Sequence, residues 1–187
     1  MNQRKRIAGL LTAALLTGMS GTTWAATDTI ELRVTPQCSE AIVVSAAPEP
    51  YNFGSIGYAL TTHSTRAISV SNTGSCTDSW DLQVADSAPE PWTAGAAAGA
   101  DAYVLSAVFN SGTTQPDTSL FDVDDVIDDG AATTCTASKY DGDQTCLNVP
   151  TGGPGARNLW FKLALPLTST DTAQDEHILT VTVTTTP

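Results

Sequence analysis

The sequence predicts an all-β protein: one antiparallel β-sandwich, immunoglobulin-like or jelly-roll-like, with about seven to eight strands and held by disulfides. Three observations predict it. Short segments alternate apolar and polar residues with period 2, the pattern of a strand with one buried face. Turn-forming clusters separate them, such as Ser71-Asn72-Thr73-Gly74-Ser75 and Thr151-Gly152-Gly153-Pro154-Gly155. No segment carries a convincing helical period, and "TAGAAAGADA" is interrupted by its glycines. A closed barrel answers the same pattern, so the sandwich is read beside that alternative.

Residues 1–25 read as a secretory signal peptide. Arg4, Lys5 and Arg6 form a positive start, Ile7 to Met19 is a short apolar run, and Thr23-Trp24-Ala25 places small residues for cleavage after Ala25. The run is too short and too polar to cross a membrane comfortably, and no later run could do so. No cysteine follows the cleavage point to carry a lipid. The expected location is therefore secreted, extracellular or on the cell surface.

Residues 26–36 form the first strand of the exported chain. In "TIELRVT", Ile30, Leu32 and Val34 are apolar and Glu31, Arg33 and Thr35 are polar. That strand has one face meant for a core. Residues 37–187 form the sandwich. "AIVVSA" opens it. "RAISVSN" sets Ile68 and Val70 on one face, and "SWDLQVA" sets Trp80, Leu82 and Val84 there. "AYVLSAVFN" is apolar on both faces and reads as a central strand. "NLWFKLALPL" alternates Leu159, Phe161, Leu163 and Leu165 against Trp160, Lys162 and Ala164. "ILTVTVTTT" sets Leu179, Val181 and Val183 against threonines. Residues 110–157 are the least regular and read as long loops or an inserted hairpin.

All four cysteines, Cys38, Cys76, Cys135 and Cys146, lie in the exported part. An even number in an oxidising compartment implies disulfides. Three pairings exist, and sequence order favours Cys38–Cys76 with Cys135–Cys146. Loop closure would make these worth about 4 and about 3 kcal/mol. A zinc site needs short C-x₂₋₄-C spacings, which neither gap provides.

The chain holds 8 basic and 20 acidic residues. Losing Arg4, Lys5 and Arg6 leaves five basic residues against 20 acidic ones, a net charge near −15. A field that negative disfavours nucleic acid and anionic lipid as partners.

No catalytic motif stands out. His63 and His177 are the two histidines, and both read as solvent-facing. No G-x-S-x-G turn is present for a Ser-His-Asp site. The sharpest polar cluster is "FDVDDVIDDG", with Asp122, Asp124, Asp125, Asp128 and Asp129; Asp141 and Asp143 follow. Calcium suits oxygen ligands on loops. The spacing does not fit an EF-hand, because Val126 and Ile127 stand where that loop needs a ligand and a glycine. A solvated acidic loop is the plainer reading, and no cofactor is expected apart from this candidate calcium. Trp80 and Trp160 read as core, and Trp92 in "PEPWTAG" as a surface contact. Tyr51 and Tyr58 join the tryptophans as a candidate carbohydrate platform.

The stretch Ala26 to Val84 resembles secreted β-sandwich subunits of the chaperone–usher pilin and spore-coat-U type. The resemblance rests on "TIELRVTPQC", "YNFG", "TRAISVSNTGSC" and "WDLQV", with "ILTVTVTTT" at the close. The Asp-rich loop and the second cysteine pair depart from that pattern. "FGSIGYALTTHSTRAISVSNTGS" is also similar to immunoglobulin-like bacterial surface modules, and "NLWFKLALPLTST" looks like the closing segments of exported bacterial sandwich proteins. The first resemblance implies assembly by strand donation: Ile30, Leu32 and Val34 of one subunit fill a groove in the next. Such a contact is head-to-tail and propagates into a homopolymer. It also implies a possible periplasmic chaperone. The expectation is a structural subunit of a filament, pilus-like fibre or matrix, not an enzyme. The alternatives are a monomeric surface module for carbohydrate or calcium and, below it, a secreted hydrolase.

Overall fold

The computed structural model describes residues 31, 33–34, 37–46, 50–89, 91–127, 130–171 and 175–186. Expectations on residues 1–25, on Ile30 and Leu32, and on Asp128 and Asp129 lie outside them. Val34 is exposed and belongs to no strand. The chain divides between Thr35 and Pro36, and all strands below belong to the unit Pro36–Pro187.

Among the described residues there are nine strands, two single-turn 3-10 segments and no α-helix. The strands are β1 (Ile42–Ser45), β2 (Thr61–His63), β3 (Ile68–Asn72), β4 (Ser79–Val84), β5 (Thr93–Ala94), β6 (Ala102–Phe109), β7 (Thr133–Thr134), β8 (Ala156–Ala164) and β9 (Val181–Thr186). Six coincide with the expected alternating segments; β2, β5 and β7 are additions of two or three residues. The first sheet runs β1-β3-β8-β6-β5, with β2 beside β3 along the same edge of β8. The second runs β7-β4-β9. All pairs are antiparallel except the two-residue β5–β6 pair.

Alternation builds the core. Trp80, Leu82 and Val84 of β4 face Val70, Tyr103, Leu105, Leu159 and Phe161 across the sheets, and all are buried. At about 25 cal/mol per Å², burial of this kind is the main stabilising term. β6 and β8 are apolar on their second faces because a loop covers them. Val108 and Trp160 pack there with Phe121, and the Trp160 Nε1 donates to the Asn110 carbonyl at 3.1 Å.

Both disulfides form as sequence order predicts, Cys38–Cys76 and Cys135–Cys146. The first continues a ladder. The β1–β3 register pairs Ile42 with Asn72, and Thr73 and Ser75 donate to the carbonyls of Ala41 and Ser39. Continued four residues beyond Ile42, that register sets Cys38 opposite Cys76. Gly74 permits the extension, since a Cβ there would sit 2.4 Å from the Ser39 carbonyl. No helix among the described residues is long and apolar enough to cross a membrane.

Candidate functional site

The two flanks of the sandwich end differently. On one flank, β6 is covered by Val126 and Asp141 in single bridges, and β4 by β7 and by two hydrogen bonds at Trp80, whose N–H donates to the Cys146 carbonyl and whose carbonyl accepts from Cys135 N–H. On the other flank, β1 and β9 end their sheets, and among the described residues neither meets a further strand. The register turns the N–H and C=O groups of Val181 and Val183 outward from β9 and those of Ile42 and Val44 outward from β1. Unpaired edges of this kind are templates for another strand.

Between these edges lies an apolar groove of about 690 Å³. Its floor is Ile68, Leu105, Leu159 and Phe161; its walls are Val44 and Ala46 on one side and Leu179, Val181 and Val183 on the other. The aromatic pair Tyr51–Phe53, with ring centroids 4.9 Å apart, stands at its rim, and Arg66 lies 5.0 Å over the Tyr51 ring. Val44, on the groove wall, is 45% exposed, and Ile178, beside its open end, is 59% exposed, so large apolar side chains stand open there. The groove closes where Thr185 donates to Glu40 at 3.1 Å. It is open at the far end, where β9 begins.

A polar cluster lies beside that open end. His177 is not solvent-facing: its side chain is 6% exposed. Its Nε2 lies 3.1 Å from Asp171, and its Nδ1 lies 3.0 Å from the Pro89 carbonyl and 3.2 Å from Ser87 Oγ. Nor is Trp92 a surface contact. Its ring stacks on His177 at 3.8 Å and 9°, and its Nε1 donates to Ser169 at 2.8 Å. The loop folds back because Ser87 N–H donates to the Trp92 carbonyl, so the indole covers the core instead of solvent. Ser87, His177 and Asp171 thus converge in the manner of a triad, a meeting the sequence did not reveal across 90 residues. Ser87 is 3% exposed and its hydroxyl donates to the Pro89 carbonyl, so the grouping acts as a clamp and presents no nucleophile to solvent.

His63 is half-buried against Phe121, and its Nε2 has no partner. Burial, then the nearby Lys162 charge, lowers its pKa. Both histidine expectations are therefore corrected for one reason: long loops fold over the strand ends that carry them.

The aspartates of 122–125 form a turn. Asp125 accepts from Tyr140 N–H at 2.6 Å and Asp122 N–H at 3.0 Å, and Asp122 accepts from Asp124 N–H at 2.8 Å. Lys139 Nζ donates to the carbonyls of Asp124 and Val126, placing a cation against the turn. Burial raises the Asp125 carboxyl to about 6, partly offset by its two N–H donors. Asp143 accepts from the Ser111 N–H and hydroxyl, which hold its pKa down. Among the described residues no three such groups converge as metal ligands. Tyr58 stands 6.1 Å from Trp92 and Tyr51 pairs with Phe53, while Trp80 and Trp160 are fully buried.

No family model matches the chain, and no curated protein or solved structure does.

Proposed function

We propose that the protein is an exported structural subunit that polymerises by strand donation, the groove between β1 and β9 receiving the N-terminal strand of a neighbouring copy. The single observation that supports this most is the groove itself: apolar, about 690 Å³, and flanked by two strand edges that meet no further strand among the described residues. Ile30, Leu32 and Val34 supply side chains of the matching chemistry, worth about 1.5–3 kcal/mol each when fully buried and before ordering costs. β-augmentation against β9 adds a ladder through Val181 and Val183.

Chain direction favours donation to a neighbour. β1 starts at the closed end, pinned by Cys38–Cys76, and runs toward the open end. The candidate donor strand precedes Cys38 in the sequence. In a neighbour's groove it runs antiparallel to β9 and leaves at the open end. The next subunit's closed end then meets that open end, and the contact repeats head to tail. The opposite direction would bring closed end to closed end and stop growth. A chaperone is the partner that would cover so apolar a groove before assembly. The Tyr51–Phe53 rim favours the second reading, a monomeric carbohydrate-binding module.

The test uses the exported chain from Ala26. Wild type should form polymers, and Leu32→Asp should stay monomeric, seen by light scattering and negative-stain microscopy. A separate peptide of residues 28–35 should raise the melting temperature of the Leu32→Asp protein. A wild-type chain that stays monomeric at high concentration, and that unfolds when residues 26–35 are deleted, would refute donation.

A further inference from the structure

We propose that the closed end of the groove is a divalent-cation site, built by Glu40 and Asp78 of the receiving subunit and completed by Asp28 of the donated strand. It depends on the groove taking a neighbour's N-terminal strand, as proposed above, and adds the ion that holds the end of that strand.

Pleat order turns the first two carboxylates toward one space. Asp78 exchanges backbone hydrogen bonds with Val149 at 3.1 and 2.7 Å, which extends β4 by one residue. It therefore lies on the pleat of Trp80, Leu82 and Val84 and faces between the sheets. Glu40 shares the pleat of Ile42 and Val44, the face that β1 turns to the groove and the core, and its carboxylate accepts from Thr185. Asp78 is 1% exposed, and both of its carboxylate oxygens are buried with no hydrogen-bond donor among the described residues. An ionised carboxylate so placed is costly until a cation reaches it. Burial first, and then the Glu40 charge, holds the Asp78 carboxyl above its ordinary value. Among the described residues neither carboxylate has an ion pair.

The donor supplies the third ligand. Donor and β9 run antiparallel, so directly opposite residues share a face. Matching Val34, Leu32 and Ile30 to Leu179, Val181 and Val183 sets Asp28 opposite Thr185. In an extended strand Asp28 shares the face of Ile30, so it meets Glu40 where the groove closes. Three carboxylates in one space need a counter-charge. The donor offers none on this face, because Arg33, its basic side chain, lies on the other. Calcium fits: it takes carboxylates through one oxygen or two and fills its remaining positions with water. Two receiver carboxylates hold it weakly and the third completes the set, so ion and strand each favour the binding of the other.

The test uses the monomeric Leu32→Asp chain and an acetylated peptide of residues 26–35, which carries Asp28 and no free ammonium. Each measurement is made with millimolar calcium and with sodium chloride of equal ionic strength. Calcium should raise the melting temperature of the chain alone by a few degrees, and Asp78→Asn should abolish that rise. Glu40→Gln, at an exposed residue, should repeat the loss without touching the core. Calcium should tighten peptide binding about tenfold in fluorescence anisotropy. The Asp28→Asn peptide should bind without calcium and gain nothing from it. A peptide that binds equally with and without calcium would overturn the cation site and leave the groove reading standing. A calcium response that survives in both Asp78→Asn and Glu40→Gln would place the ion elsewhere and overturn it too. A chain that calcium stabilises through Asp78, yet that takes no peptide in either condition, would overturn the groove reading and the role of Asp28, and leave Glu40 and Asp78 as ligands.

Discussion

The two flanks of this sandwich are built from similar strands and finish in opposite ways. On the far flank, the irregular stretch between β6 and β8 folds over the edges of β6 and β4, and Cys135–Cys146 ties it there. On the near flank, β1 and β9 meet no further strand among the described residues, and Cys38–Cys76 pins only the start of β1. A long insertion covers one pair of edges, and the other pair borders an open apolar groove; strand donation, as proposed, would use only the second.

Core and groove substitutions should break that symmetry most sharply. Trp80→Ala, at a fully buried site, should cost about 5 kcal/mol in urea unfolding. Leu179→Ala, half-buried in the groove wall, should cost about 1 kcal/mol or less in the free chain, yet weaken binding of the 28–35 peptide. Equal costs at the two sites would mean the groove is ordinary core.

The disulfides sharpen the comparison at intermediate size. Replacing Cys38 and Cys76 by Ala should cost about 4 kcal/mol, and replacing Cys135 and Cys146 about 3 kcal/mol. The two pairs should differ more in kind than in size. Loss of the first should impair strand uptake, because β1 loses its anchor; loss of the second should leave uptake intact in the folded fraction.

The smallest effect is a slope with pH. Asp125 and Asp78 are both buried, and burial raises both carboxyls, with Glu40 adding to the rise at Asp78. A carboxyl harder to ionise folded than unfolded stabilises below its unfolded value, and that contribution is lost as pH rises through the folded value. For Asp125 the window runs from the ordinary 3.8 to about 6. The melting temperature should fall by about 5 °C across it, and Asp125→Asn should lower the curve and flatten that slope. A melting temperature that rises with pH across this window would contradict the assignment.

Much of the fold was legible because strand faces are a local property. Trp80, Leu82 and Val84 declare one face by alternation, and Leu159, Phe161 and Leu163 another. Sequence order also favoured the disulfide pairing that formed. The candidate site was legible only as a donor. Ile30, Leu32 and Val34 advertised a strand in search of a core, while nothing in the threonine-rich β9 told that its second edge stays bare. Asp122, Asp124 and Asp125 read as ligands by type, and the carboxylates of Asp122 and Asp125 accept from backbone N–H groups of the turn and of Tyr140.

What the sequence determined by itself, then, is six of the nine strands among the described residues, the faces they bury and the cysteines that staple them, since strand faces follow from residues a few positions apart. Only the tertiary structure decided which edges were covered. It also brought Ser87, Trp92, Asp171 and His177 to one end of the groove. Both depend on which distant segments pair, and the free energy of that choice is spread over the whole core, not written in any one stretch.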